Sequence, residues 1–134
     1  MFLNFLMVAL GGAIGASLRF AAGLAMNNAL NSFPSVASFP LSTVFVNFFG
    51  CFAIGFLSHF FHQNVSNTKT HWSLFATTGI LGGFTTFSTF SLEAFELFKS
   101  SDALLSAFYV VITLLLCGLG VVSGRLLAQA IWPA

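Results

Sequence analysis

Four long apolar segments, separated by short polar stretches, limit what this chain of 134 residues can fold into. The segments cover approximately residues 2–26, 40–61, 72–98 and 103–131. A helix needs about 20 apolar residues to cross a hydrocarbon core of about 30 Å. Charged residues make up 5% of the chain, whereas a soluble domain carries about a quarter. We therefore predict one all-α integral membrane domain, residues 1–134, whose four transmembrane helices lie in a lipid bilayer.

The third segment is not a uniform apolar helix. From Gly79 to Glu96 it reads GILGGFTTFSTFSLEAFE, with three glycines before a run of hydroxyl residues and interspersed phenylalanines. Glycine weakens a helix, and backbone groups freed in a bilayer must find partners in protein or along a watery path. We predict that the third helix is broken near Gly79–Thr86 and that the break marks a site for a small polar solute or ion.

Lysine and arginine residues are evenly divided between the two sides of a four-helix topology. One side holds Lys69 and Arg125, and the other holds Arg19 and Lys99. Orientation follows the Lys/Arg bias of short loops, and this chain has almost none. The balance favours insertion in both orientations and antiparallel pairing, although a single orientation set by another feature stays open.

Small residues recur at four-residue spacing in two segments. Gly11 with Gly15, and Gly120 with Gly124, each lie on one helix face. Such faces let helix backbones approach closely in lipid, where packing replaces the hydrophobic driving force. We expect tight helix contacts at both places.

Three polar side chains lie within apolar surroundings. Arg19 in the first segment is either functional at depth or reaches the nearby interface. Asn47 stands alone in the second segment and must bond across helices or to a solute. Glu93 shares a helical face with Thr86 and Thr89 in the third segment.

The cysteines and histidines give weaker signals. Cys51 and Cys117 fall in mid-segment without a CxxC pattern, so we interpret them as small core residues. His59 and His62 have a spacing that allows a metal site, but no cysteine or carboxylate lies nearby in sequence, which favours ordinary interfacial histidines. The sequence contains no run of basic residues of the kind that would indicate nucleic-acid binding.

Three sequence blocks together resemble the signature blocks of the Fluc/CrcB family of bacterial fluoride channels. They are GGAIGASLRF at residues 11–20, PLSTVFVNFFGCFAIG at 40–55 and GILGGFTTFSTFSLE at 79–93. The resemblance implies an antiparallel dual-topology homodimer with two pores along its subunit interface. It further implies a fluoride-selective channel, not an enzyme, that exports fluoride passively across the bacterial cytoplasmic (inner) membrane and reduces fluoride toxicity.

The resemblance also implies roles for individual residues. Phe87 and Phe90 match the paired pore phenylalanines, and Asn47 matches the pore asparagine. The carbonyls of Gly82 and Thr85 match the ligands of a structural sodium ion at the dimer centre. The vestibule arginine corresponds to Arg19, and a polar track beside the pore corresponds to Ser88, Thr89, Glu93, Tyr109 and Thr113.

Two positions depart from the family pattern. Ser42 stands where glycine is common, and Cys117 falls where a hydroxyl of the polar track is expected. The donor set at the far end of the track therefore stays open.

Two other functions are compatible with the composition. A small dual-topology, proton-coupled multidrug exporter would need a membrane-embedded carboxylate, and the first two segments contain none. A structural or regulatory membrane subunit would have no ion pathway at all.

Overall fold

The structure is a computed structural model that describes residues 1–30, 39–62, 71–100 and 102–133. The described residues form helices and no strand, which confirms the predicted all-α class. The elements are α1 (Phe2–Leu30), α2 (Leu41–His62), the π-helix π1 (Leu74–Leu81), α3 (Gly82–Phe84), α4 (Phe87–Lys99) and α5 (Ala103–Ile131).

Parts of the predicted loops lie outside the described residues. They include most of the Asn/Ser/Pro stretch after α1, most of the polar loop after α2, and Ser101. Lys69 belongs to the loop after α2. The proposed balance of charges between the two sides therefore includes one residue, Lys69, that the structure does not describe.

Three helices of the described chain are long and apolar enough to cross a membrane, namely α1, α2 and α5. Helices α1 and α5 contain 29 residues each, or about 44 Å at 1.5 Å per residue. The third predicted segment consists instead of π1, α3 and α4, so no single helix spans it. Multi-pass membrane insertion is supported, while the exact number of spans stays a prediction.

Local sequence signals explain where two helices begin. Pro40 precedes α2, and its carbonyl accepts a hydrogen bond from Val44 N at 3.3 Å. Asp102 caps α5, because its side-chain oxygen accepts from Leu105 N at 2.9 Å. An N-cap of this kind stabilises a helix by about 0.5–2 kcal/mol.

The interruption of the third segment lies at Thr85 and Thr86. Thr85 has φ −77° and ψ 158°, and Thr86 has φ −148° and ψ 116°, so both are extended. Gly82 keeps helical angles of φ −63° and ψ −34°. The break thus falls within the predicted interval, but our attribution of it to helix-weakening glycines was wrong, because the threonines carry it.

The glycines instead permit close helix contact. Gly11 and Gly15 of α1 are buried against the backbone of π1 and α3. A Cβ atom on Gly15 would overlap the carbonyl oxygen of Ile80, and one on Gly83 would meet the carbonyl oxygen of Gly12. Any side chain at these positions would force α1 away from the broken segment.

A second glycine face joins α5 to α2. Gly120 and Gly124 are buried, and a Cβ atom on Gly124 would overlap the carbonyl oxygen of Phe52. The expected tight contacts at four-residue glycine spacing therefore occur within one chain. They bring α2 and α5 together on one side of the break, while α1 contacts it on another.

A small aromatic cluster links α2, α4 and α5. Val44, Phe90 and the fully buried Tyr109 form its centre. The rings of Phe90 and Tyr109 have centroids 5.3 Å apart. This cluster fixes the first turns of α4 against the two long helices.

Candidate functional site

Asn47 holds the interrupted segment through two hydrogen bonds to one residue. Its Nδ2 donates to the carbonyl oxygen of Thr86 at 3.0 Å, and its Oδ1 accepts from Thr86 N at 2.8 Å. Both residues are buried, at 8% and 7% exposure. The side-chain amide thus takes the place of a backbone partner where the helix stops.

The Thr86 hydroxyl restarts the helix. As the N-cap of α4, Thr86 Oγ1 accepts from Thr89 N at 3.1 Å. The same hydroxyl donates to Thr89 Oγ1 at 3.0 Å and lies 3.3 Å from Ser88 Oγ. Two residues of the predicted polar track, Ser88 and Thr89, therefore meet at Thr86.

This arrangement removes the helical donors from carbonyls on the N-terminal side of the break, including those of Gly82 and Thr85. In an uninterrupted helix, Thr86 N would donate to Gly82 O, and Thr89 N would donate to Thr85 O. Here the first N–H group donates to Asn47 and the second to the Thr86 hydroxyl. The carbonyls of Gly82 and Thr85, which the family resemblance assigned to a sodium ion, are thus among those that the break releases. Arg19 Nη1 lies 3.5 Å from Thr85 O, which is a long contact.

A cavity of about 340 Å³ lies on one side of the Asn47–Thr86 pair. We call it the aromatic cavity. Phe87 is 75% exposed and Phe90 only 6%, and their ring centroids are 5.5 Å apart. The cavity is lined by residues from α2, π1, α3, α4 and α5, including Asn47, Cys51, Thr86, Phe87, Phe90, Thr113 and Cys117.

A second cavity of about 310 Å³ lies beside α1. We call it the polar cavity, because it brings Arg19 to the same space as Glu93. Thr86 lines both cavities, so the helix break stands between them. Other residues lining the polar cavity include Ser42, Thr43 and Thr89.

The Glu93 carboxylate accepts hydrogen bonds from two helices. Thr43 Oγ1 donates to Oε1 at 2.9 Å, and Tyr109 OH donates to Oε2 at 2.7 Å. Thr113 Oγ1 donates to the carbonyl oxygen of Tyr109 at 2.7 Å. A carboxylate within a membrane segment is costly unless such donors surround it. The hydroxyl protons of Thr43 and Tyr109 are thus directed at Glu93, and that of Thr113 is directed at the backbone.

The comparisons with known proteins agree with one another. The family described as CrcB-like protein, Camphor Resistance (CrcB), matches residues 6–125. The chain belongs to the CrcB family. A Helicobacter pylori (strain HPAG1) protein named fluoride-specific ion channel FluC is 44% identical over 125 residues, which are 93% of this chain and 92% of that protein.

Other bacteria contain similar CrcB relatives. A protein of the same name from Ruminiclostridium cellulolyticum is 40% identical over 129 residues, covering 96% of this chain and 95% of its own length. Another from Helicobacter acinonychis is 41% identical over 127 residues, covering 95% and 96%. The similarity therefore extends over nearly the whole chain, including every segment that builds the two cavities.

The structure of this CrcB chain adds site residues that our sequence analysis did not assign. Thr86 connects the two cavities, and Thr43 donates to Glu93. The sequence contained a signal for Thr86, because threonine is a preferred N-cap residue. Its hydroxyl can accept from the N–H of the third residue after it, which here is Thr89. Thr43 lies four residues before Asn47, on the same face of α2.

Replacing Asn47 tests the role of its amide in this CrcB fold. Asn47→Ala leaves the N–H and carbonyl of Thr86 without their partner, and each buried unsatisfied group costs about 1–3 kcal/mol. We expect the free energy of unfolding in detergent to fall by about 2–4 kcal/mol. The matched control is Asn27→Ala, at an exposed position near the end of α1. Equal stability of the two variants would contradict the role of the Asn47 amide as the hydrogen-bond partner of Thr86.

Proposed function

We propose that this chain is one protomer of a fluoride-selective channel that lets fluoride leave the cell passively across the bacterial inner membrane. The observation that carries the proposal is the aromatic cavity, where Asn47 and the Phe87–Phe90 pair meet at a helix break. The names of the CrcB relatives supply the ion. On this proposal the chain lowers internal fluoride and is not an enzyme.

The Asn47 amide is suited to an anion because its nitrogen carries two hydrogens. Among the described residues it donates only to Thr86, which uses one of them. Asn47 lines the aromatic cavity, and we propose that its second hydrogen meets fluoride there. Hydrogen bonds to a charged acceptor are roughly twice as strong as neutral ones, so one such donor offsets part of the hydration that fluoride loses.

The phenylalanines contribute through their ring edges. An aromatic ring carries a negative face and a positive edge. Phe87 and Phe90 are adjacent, with an interplanar angle of 48°, and both line the aromatic cavity. Ring edges attract an anion weakly, which suits conduction, because binding must be favourable without being deep.

The polar track requires a rearrangement before it can host an ion. Tyr109 and Thr43 direct their hydroxyl protons at Glu93, and Thr113 directs its proton at the backbone. A hydroxyl hydrogen rotates to suit its partner. We propose that these groups turn from Glu93 and the backbone toward fluoride as it passes.

Ion flux from proteoliposomes tests the function directly. We expect vesicles that contain the purified protein to release fluoride, and to hold chloride as well as protein-free vesicles do. Release of both ions at the same rate would contradict selectivity. Absence of fluoride release would instead favour a structural subunit without a pathway.

The pore phenylalanines provide the sharper prediction. Phe87→Ile and Phe90→Ile keep bulk and apolar character but remove the ring edge. We expect each to lower fluoride flux more than roughly tenfold, a barrier increase of about 1.4 kcal/mol. Phe84→Ile and Phe95→Ile are the controls and should retain flux. If all four variants conduct equally as folded dimers, the rings serve packing only.

The exposed groups at the break support assembly as a dimer. Gly82, Ser88 and Thr89 are exposed on the single chain, next to the exposed ring of Phe87. Polar groups facing hydrocarbon are costly. A second copy over this face would remove that cost, and we propose an antiparallel, dual-topology homodimer.

Topology reporters test the antiparallel arrangement. The even Lys/Arg distribution leads us to expect a C-terminal reporter on both faces of the membrane. Adding two or three lysines to one loop should fix a single orientation and lower fluoride flux. Detection of the reporter on the inner face alone would exclude dual topology.

A structural sodium ion at the dimer centre fits the released carbonyls. A hard cation prefers oxygen ligands, and the carbonyls of Gly82 and Thr85 have lost their helical donors. Two chains would together offer four such oxygens. Bound sodium would supply a fixed positive charge, and so raise the local concentration of anions in a low-dielectric path.

The sodium proposal is tested by an experimental structure of the dimer in sodium-containing buffer. We expect an oxygen-coordinated ion between the two chains, held by Gly82 and Thr85. Replacing sodium with N-methylglucamine should lower the unfolding temperature of the dimer, because a ligand of the native state stabilises it. A dimer centre with no ion, and no dependence on sodium, would refute this part of the proposal.

The exporter alternative gains no support from the relatives, whose names describe ion channels. Glu93 is a carboxylate within the third segment, but it accepts hydrogen bonds from Thr43 and Tyr109. Neither the sequence nor the relatives' names indicate nucleic acid as a partner.

A further inference from the structure

Cys51 and Cys117 approach each other across the contact between α2 and α5. Both are free cysteines and partly exposed, and they lie on two helices that pack against each other. The backbone permits this approach at Gly120, one turn after Cys117, where an added Cβ atom would lie 3.4 Å from the Cβ of Cys51. The two residues that we interpreted as small core residues are thus partly exposed and lie on neighbouring turns of two packed helices.

The thiol pair lines the aromatic cavity. Cys51 follows Asn47 by four residues on α2, and Cys117 follows Thr113 by four residues on α5. A helix rise of about 6 Å therefore separates the thiols from the Asn47 and Thr113 positions. An atom held between the two sulfurs would stand directly beside the path proposed for fluoride.

We propose that Cys51 and Cys117 form a two-thiolate site for a soft divalent cation, represented by Hg²⁺, and that its occupancy blocks the aromatic cavity. Binding depends only on the two thiols. The blocking effect rests in addition on the proposed channel function.

The chemistry selects the cation. The thiolate is the metal ligand, so Hg²⁺ displaces the protons of both thiols: two S–H bonds break, two Hg–S bonds form, and two protons leave to water. No electron is transferred, and the product is neutral, which a low-dielectric site tolerates better than a charged one. A monovalent soft ion would leave one negative charge on the same two ligands.

The number of ligands does not suit zinc, which is a common structural metal. Zinc in structural sites takes four ligands. Among the described residues no group of three or more His, Cys, Asp or Glu side chains is placed to hold a metal. Two soft ligands without a third suit a two-coordinate ion such as Hg²⁺.

The binding test uses the purified, full-length protein and Hg²⁺ in the presence of a competing monothiol. We expect intact-mass measurement to find one mercury per chain, with loss of two protons, and both thiols protected from maleimide. Cys51→Ser, Cys51→Ala and Cys117→Ser should each weaken mercury binding by roughly 100-fold. Each variant leaves one thiol, and so loses the added affinity of two ligands held in the same chain. Gel filtration identifies any variant that does not fold, and the other variants then carry the test.

Two results would overturn the site. One is mercury retained by the single variants as strongly as by the wild-type chain, and the other is two mercury ions per chain. Either would mean that the cysteines act separately.

The blocking test measures fluoride release from proteoliposomes before and after addition of Hg²⁺, with each variant compared with its own flux before metal. We expect the wild-type flux to fall at least tenfold and to recover with a dithiol, while Cys51→Ala stays insensitive at the same concentration. Bound mercury with unchanged flux would refute the block. If wild-type vesicles release no fluoride before metal is added, the channel proposal fails, and the binding result stands by itself.

Discussion

An interrupted helix in a membrane must satisfy its backbone groups within the protein, and this constraint organises the rest of the structure. Each unsatisfied group in hydrocarbon costs several kcal/mol. Asn47 satisfies both backbone groups of Thr86 at 3.0 and 2.8 Å, and the Thr86 hydroxyl satisfies the N–H of Thr89. These bonds release the carbonyls of Gly82 and Thr85 and place the rings that follow the break beside Asn47.

The glycine contacts make this pairing geometrically possible. Asn47 reaches Thr86 because α2 lies close to the broken segment, and α1 packs against that segment as well. Between α2 and α5 the contact depends on Gly120 and Gly124, and between α1 and the break it depends on Gly11 and Gly15. Since lipid provides no hydrophobic drive for helix association, close backbone packing supplies much of the attraction. The polar site therefore rests on the packing of residues that have no side chain.

The sequence predicted the helical class and the position of the interruption, and its resemblance to the channel family supplied most of the residues around it. Asn47, Phe87, Phe90 and Thr113 meet at one cavity, and Arg19, Thr89 and Glu93 meet at the other. It assigned no role to Thr43 or Thr86, and it did not place the two cysteines at one cavity. Those features depend on which faces of α2, α4 and α5 meet, and segment periodicity leaves the rotation of one helix against another undetermined.

The sequence by itself determined the environment and the broken segment. The scarcity of charged residues and the long apolar segments require a bilayer. The hydroxyl residues among glycines and phenylalanines mark a segment that is not a uniform apolar helix facing lipid. Only the tertiary structure decided which groups form hydrogen bonds with the backbone at the break. It put the interruption at the threonines rather than the glycines, directed the hydroxyls of Tyr109 and Thr43 at Glu93 and placed two cysteines in the wall of one cavity. The reason is that hydrogen bonds and close contacts between helices depend on distances in space, which the order of residues along one helix does not contain.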